Sequence, residues 1–216
     1  KNIIKSMDLV IITSVINISK DPLDYSRVRS VYTPEERYTQ VIKTIESING
    51  KIENSDILFL ESSEIDIEKE NTIKDMVDHY VKLTDDKIKK VIDGQFKASA
   101  ESTQILEGLK RIDINKYHNI YKISGRYSLN DNFDYMKYDN DHNIFFETSD
   151  GLKIATVFYK INKKYIDTFI STLEYCSNSK NMLEMEFKNS FVDEYKKIEV
   201  LGVEGNVSVD GNYINW

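Results

Sequence analysis

Ser124-Gly125-Arg126-Tyr127 ends a short apolar run and delivers a hydroxyl, a cation and a phenol to one point of the chain. The planar fork of Arg126 can give two parallel hydrogen bonds to a phosphate or carboxylate. Gly125 would let the backbone turn sharply or approach a ligand closely. The same residues also suit a strand-end turn with a solvated or ion-paired arginine. Two further apolar runs end in polar groups, one in Thr13 and Ser14, the other in Glu61 and Ser62. Ligands of open α/β sheets bind outside the carboxyl ends of the strands, so the three endings together define a candidate site.

Asp139-Asn140-Asp141 spaces two carboxylates so that both can reach one hard cation, Mg²⁺ or Mn²⁺. A solvated acidic loop has the same composition. His142 adjoins it; His79 and His118 are isolated and read as surface or strand-flanking residues. Lys97 precedes a helical pattern that Ser99 can cap, and a helix's positive end favours an anion. Glu101 also suits that end. There is no Gly-x-Gly-x-x-Gly and no Walker loop. Cys176, the only cysteine, excludes an internal disulfide and a Cys-based zinc site. It falls within a helical pattern and reads as a small buried hydrophobe.

The elements that must position these groups follow from periodicity. Residues 9–15 form a β-branched apolar run, the mark of a buried parallel strand. Residues 16–32 read as a loop carrying Arg27 and Arg29. Thr33-Pro34-Glu35-Glu36 is a capping box with proline at the first helical position. Tyr38, Val41, Ile42, Ile45 and Ile48 continue the helix, and Asn49-Gly50 ends it in a left-handed cap. Residues 56–62 give the second strand, completing a βαβ unit. Residues 64–81 read as charged and partly helical, 82–95 as holding a short helix, 99–112 as a helix and 119–124 as a strand. Residues 131–142 show no period. Residues 143–148 and 153–159 read as a hairpin around Ser149-Asp150-Gly151. Helices are expected over 163–176 and 182–195, the second with Met182, Met185, Phe187 and Phe191 inward. A strand over 199–203 and a hairpin over 207–214 around Asp210-Gly211 complete the chain. The expected class is α/β: a Rossmann-like, mainly parallel sheet in the first half, and a mixed sheet with hairpins in the second.

The 216 residues, 40% hydrophobic and 11% aromatic, suffice for a packed core. Two prolines and eight glycines leave no room for a long linker. A net charge of −7 is a poor balance for non-specific nucleic-acid binding. No stretch reads as a signal peptide, and the longest apolar run is far too short for a transmembrane segment, so a cytoplasmic setting is expected. The sequence starts at Lys1 rather than Met, as a piece of a longer chain would.

The chain resembles small GT-A-type glycosyltransferases, those of surface-polysaccharide gene clusters and of large DNA viruses and phages. The likeness rests on Thr13-Ser14-Val15 with Arg37-Tyr38-Thr39-Gln40 and Thr44–Ile48, on Leu58–Ser62, on Lys97–Glu101, and on Lys122–Tyr127. Val203-Glu204-Gly205 followed by Asp210-Gly211 is similar to the family's tail. Ala100 stands where the family's helix entry has glycine, and no Asp-x-Asp follows the strand where the family usually places it.

The resemblance implies one GT-A-like domain over 1–216, with a nucleotide-sugar-binding half (1–130) and an acceptor-side half (131–216). It implies a nucleotide-diphosphate sugar donor held by Thr13, Ser14, Glu61, Ser62, Lys97, Glu101, Arg126 and Tyr127, a glycan or glycoprotein acceptor, and commonly a divalent metal, here Asp139 and Asp141. Arg126, Lys97 or a metal would assist departure of the diphosphate. Glu204, Glu186 or Glu184 would serve as base. A nucleotidyltransferase on a related sheet and a non-catalytic carbohydrate-binding or structural accessory protein are the competing readings.

Overall fold

A computed structural model describes residues 7–149 and 151–216. Strand β1 (Met7–Ser14) is apolar and buried along nearly its whole length. Helix α1 (Pro34–Asn49) starts at the expected capping box: Thr33 accepts from the Glu36 amide, and the Glu36 side chain returns to the Thr33 backbone. Gly50 ends it in right-handed conformation, φ −85°, so the expected left-handed cap is absent. Its amide still reaches the Glu46 carbonyl.

Strand β2 (Ser55–Glu61) returns parallel to β1, with Leu9 opposite Asp56. Then come α2 (Ile67–Met76), β3 (His79–Lys82), α3 (Asp86–Ile92) and α4 (Lys97–Leu109). β4 (Tyr117–Ser124) lies parallel to β1 on its other side. β5 (Tyr127–Leu129), β6 (Asn143–Phe145), β7 (Phe158–Asn162), α5 (Ile166–Ser177), α6 (Leu183–Ser190), β8 (Tyr195–Lys197), β9 (Val203–Asn206) and β10 (Tyr213–Asn215) complete the order.

The main sheet runs β3-β2-β1-β4-β7-β6-β8. Only β7 opposes the direction of the other six, since it pairs antiparallel with both β4 and β6. The three runs expected as the parallel core are thus adjacent parallel strands. A second, antiparallel sheet orders β10-β9-β5. Alternation along β1 splits the core. Leu9 and Ile11 pack with Ile105 of α4, Phe169 of α5 and Phe187 of α6. Val10 and Ile12 pack with Val41 and Ile45 of α1 and with Tyr127 of the small sheet.

Several boundaries differ from expectation. β7 begins later than residue 153; a short antiparallel bridge, Glu147 to Ile154, precedes it. Asp150 of the expected turn lies outside the described residues. α6 is shorter than 182–195, because Asp193 takes a positive φ of 60° and the chain then joins the sheet as β8. Phe187 and Phe191 are buried as expected, but Met182 and Met185 are exposed. The final hairpin pairs β9 with β10, so Asp210-Gly211 sits in its turn while its strands flank 207–212.

Candidate functional site

β1 and β4 end side by side, and a crevice of about 170 Å³ opens beyond Thr13, Ser14 and Ser124. The loop over 16–32 and the β9–β10 turn at 207–209 wall it, with Lys97, Glu101 and Gln104 of α4 opposite. The Ser208 hydroxyl donates to the Arg29 carbonyl at 2.8 Å, and the Val31 amide donates to the Ser208 carbonyl at 2.8 Å. The last hairpin is therefore pinned to the loop that follows β1.

Arg126 reaches this crevice from the β4–β5 corner. Gly125 does not adopt a left-handed backbone there. Its amide donates to the Thr13 carbonyl at 2.9 Å, and an added Cβ would stand 3.3 Å from that same oxygen. Close packing, rather than a left-handed backbone, is what favours glycine here. Across the small sheet, a Cβ on Gly205 would meet the Arg126 carbonyl at 2.5 Å and the Tyr127 ring at 2.6 Å. The corner that aims Arg126 is thus held by two glycines. The guanidinium stacks 5.5 Å from the Tyr127 ring centroid, and its Nε is buried without a hydrogen-bond partner.

Arg37 enters the same crevice from the first turn of α1. It is 5% exposed. Nε donates to the Val15 carbonyl at 2.8 Å, and Nη1 faces the Ser30 and Ser208 hydroxyls at 3.5 and 3.3 Å. Burial first, and then the charge of Arg126, push its pKa down to about 9, against a weaker opposing pull from Glu61. Among the described residues, no carboxylate forms an ion pair with either arginine. Sequence reasoning did not single out Arg37 as a site residue. The signal was its register: Arg37, Val41, Thr44, Ile45 and Ile48 share the buried face of α1.

Lys97 is the first residue of α4. The helix has no side-chain cap and no acid in its first turn. Ser99 lies inside that turn and donates instead to the carbonyls of Cys176 and Ser179, at 3.2 and 2.6 Å. A lysine at a helix's positive end is unfavourable unless an anion joins it. Arg29, although it lines the crevice, spends its guanidinium on the carbonyls of Ile92, Asp93 and Gly94 that end α3.

The other expected residues separate into two groups. Thr13, Ser14, Lys97, Glu101, Arg126 and Tyr127 are brought together on the crevice wall. Glu61 and Ser62 stand behind it, fully buried. Burial raises the Glu61 pKa, and its Oε1 accepts from the Ile16 and Ser63 amides at 3.0 and 2.9 Å. Ser62 Oγ accepts from Gln104 Nε2 at 2.8 Å, and the same amide nitrogen reaches the Ser14 and Leu60 carbonyls at 2.7 and 3.0 Å. Gln104 thus ties the ends of β1 and β2 together.

Glu204 is on β9, ion-paired with Lys43 at 2.8 Å, and Glu186 accepts from Asn181 at 2.8 Å; neither lines the crevice. Glu184 lines a second cavity of about 300 Å³, together with Phe96, Thr156 and Met182. Tyr25, Lys97 and Glu101 belong to both cavities.

Asp139 and Asp141 are not beside the crevice. Asp141 accepts from His118 at 2.9 Å and Lys164 at 3.2 Å, and Asp139 acts on Asp8. Asp8 and His118 open β1 and β4, so this loop lies at the opposite, amino edge of the sheet. β6 and β7 pair antiparallel, as the expected hairpin requires, but the place of that pair beside β4 in the main sheet, which sets the edge, is not displayed by the sequence. Among the described residues no cluster of three or more His, Cys, Asp or Glu groups is placed to hold a metal. In the crevice itself Asp93 is engaged by Lys89 at 2.7 Å and Glu101 by Lys122. That donor set does not fit a divalent cation.

No family model and no curated protein matches the sequence. Solved structures do match. The glycosyltransferase GlyE of Streptococcus pneumoniae TIGR4 aligns with a TM-score of 0.53 and 12% identity, over 90% of this chain and 45% of that one. The WbbM bifunctional glycosyltransferase aligns at 0.55 and 11%, over 92% and 40%. Core-mannan synthase A of Aspergillus fumigatus, in an Mn/GDP form, aligns at 0.52 and 7%, over 93% and 74%. The chain spans less than half the length of the first two. The likeness establishes the fold, a GT-A-type α/β arrangement. Among the described residues no helix is long and apolar enough to cross a membrane.

Proposed function

We propose that the crevice binds the diphosphate of a nucleotide sugar and that the protein transfers the sugar to a hydroxyl of a glycan or similar acceptor. One observation carries the reading: Arg37 and Arg126 both line the crevice at the carboxyl edge of a GT-A-like sheet, and among the described residues neither has a carboxylate within ion-pair distance. A buried, uncompensated cation is costly. A diphosphate would supply the missing charge, and the Arg126 fork can give it two hydrogen bonds. Lys97 at the α4 start adds a third cation.

In transfer, the bond from the anomeric carbon to the diphosphate breaks. Charge develops on the leaving oxygen, and fixed donors aimed there lower the barrier. Arg126 and Arg37 have that role. On the acceptor side, Glu184 is the one of the three expected carboxylates on a cavity wall, and it is assigned the hydroxyl proton. The carboxylates of the crevice are already paired with lysines, so the charge of the leaving group falls to the arginines.

A thermal-shift panel of UDP, GDP and dTDP species, with and without Mn²⁺, tests the reading. At least one should raise the melting temperature, because a ligand bound only to the folded form stabilises it by mass action. No shift with any of them overturns it. Turnover of a sugar nucleotide, against turnover of a sugar phosphate plus nucleoside triphosphate, separates transfer of sugar from transfer of nucleotide.

A further inference from the structure

Glu101 stands where the two cavities meet, held by a charge that solvent does not reach. Its Oε1 accepts from the Lys122 ammonium, whose side chain is fully buried. Lys122 also donates to Ser124 Oγ at 2.9 Å and to the Thr156 carbonyl at 2.8 Å. An ammonium has three donors, so Lys122 is saturated and cannot turn to a ligand.

A buried ion pair is weak evidence for stability, because desolvating two charges offsets their attraction. What this pair supplies is direction. Lys122 joins β4, α4 and the segment before β7, and so fixes one carboxylate oxygen. Among the described residues no donor reaches the other oxygen, Oε2, and the side chain keeps 12% of its surface open. An ionised carboxylate only accepts hydrogen bonds. It repels phosphate and favours hydroxyls, whereas the arginines lining the crevice attract phosphate.

We propose that Glu101, oriented by Lys122, reads the hydroxyls of the donor's sugar at the threshold between the crevice and the second cavity. This rests on the reading of the crevice as a nucleotide-sugar site. Glu101 is the contact and Lys122 the positioning residue. A bare nucleoside diphosphate ends at the arginines and makes no bond to Glu101.

The test is titration with matched pairs: UDP and UDP-glucose, GDP and GDP-mannose, dTDP and dTDP-glucose. Glu101→Gln alone would strand a buried cation, so the principal variant is the neutral double substitution Lys122→Met with Glu101→Gln. For the pair that the unaltered protein binds, the sugar conjugate should weaken about ten- to a hundredfold, the worth of a charge-assisted hydrogen bond, and the bare diphosphate less than about twofold. If the double variant unfolds, Glu101→Asp carries the same comparison, since it keeps both charges and withdraws the carboxylate by one methylene. Equal loss for both ligands, or no loss, overturns the proposal and leaves the crevice reading standing. If no pair binds the unaltered protein, the crevice reading fails and this proposal falls with it.

Discussion

At the amino edge of the main sheet the charges are held by close polar partners; at the carboxyl edge, among the described residues, two arginines line a crevice without an ion pair. Asp56, which opens β2, accepts from Tyr117 at 2.7 Å and Lys116 at 3.0 Å, with His79 at 3.4 Å. Lys160 is buried, yet its ammonium donates to the Tyr138 and Asn140 carbonyls at 2.7 and 2.5 Å. Asp8 accepts from the Asn119 amide at 3.1 Å. Six residues further along β1, the crevice holds Arg126 with a partnerless Nε and Arg37 bonded only to neutral oxygens. Both edges are polar and both are partly buried. Polarity therefore does not locate a site, and neither does a missing ion pair alone, since Lys160 also bonds only neutral oxygens; the two arginines differ in lining an open crevice.

The largest effect should follow from breaking the open edge. Arg126→Ala is expected to weaken nucleotide binding about ten- to a hundredfold, the worth of one charge-assisted hydrogen bond. The melting temperature should barely move, because among the described residues the guanidinium has no hydrogen-bond or ion-pair partner, only its stack on Tyr127. Arg126→Lys keeps the charge without the fork and should recover part of the loss. A variant that melts far lower but binds normally when folded would make Arg126 a structural residue.

The closed edge should answer in stability instead. Asp56→Asn removes the charge that three donors share, at a cost of about 1–2 kcal/mol. At about 2–4 °C per kcal/mol for a chain of this size, thermal unfolding detects it. The pH dependence has a definite sign. Burial opposes ionisation of Asp56, but Tyr117, Lys116 and His79 together outweigh it, and its pKa in the fold is lowered. A group with a depressed folded pKa stabilises above its unfolded value and loses that contribution as pH falls. The difference between the native protein and Asp56→Asn should be full at pH 6 and shrink below about pH 4. A difference that grows in acid contradicts the assignment.

The same contrast explains what the sequence disclosed. β1, β2 and β4 are buried on both faces, so they read as unbroken apolar runs. The α1 start was legible because its capping box is local. β3 was not: His79-Tyr80-Val81-Lys82 is a four-residue edge strand, and three of its residues are half-buried. β5 follows Gly125-Arg126 so closely that only its pairing with β9, over seventy residues away, makes it a strand. Arg126 was legible through its place after a strand. Arg37 shows itself only when the whole face of α1 is counted. The distance between Asp139-Asn140-Asp141 and the crevice is a tertiary fact, set by the reversed direction of β7.

That distance supports the smallest expected effect. Six residues of extended strand separate Asp8 from Ser14, roughly 20 Å at about 3.3 Å per residue. Asp139 and Asp141 lie beyond the Asp8 end. Two unit charges that far apart in water interact by about 0.2 kcal/mol before screening. Salt at physiological strength screens them over about 8 Å and leaves less still. Asp141 is exposed and already shared between His118 and Lys164, and such surface pairs contribute about 0–1 kcal/mol. Asp139→Asn with Asp141→Asn should therefore change nucleotide affinity less than about twofold, with or without Mn²⁺, and lower the melting temperature by no more than a few degrees. Isothermal titration decides it. A tenfold loss confined to the Mn²⁺ arm would place a metal-bound diphosphate at the amino edge and invert the comparison between the two ends of the sheet. Unchanged affinity leaves the phosphates with the arginines, which form no ion pair among the described residues.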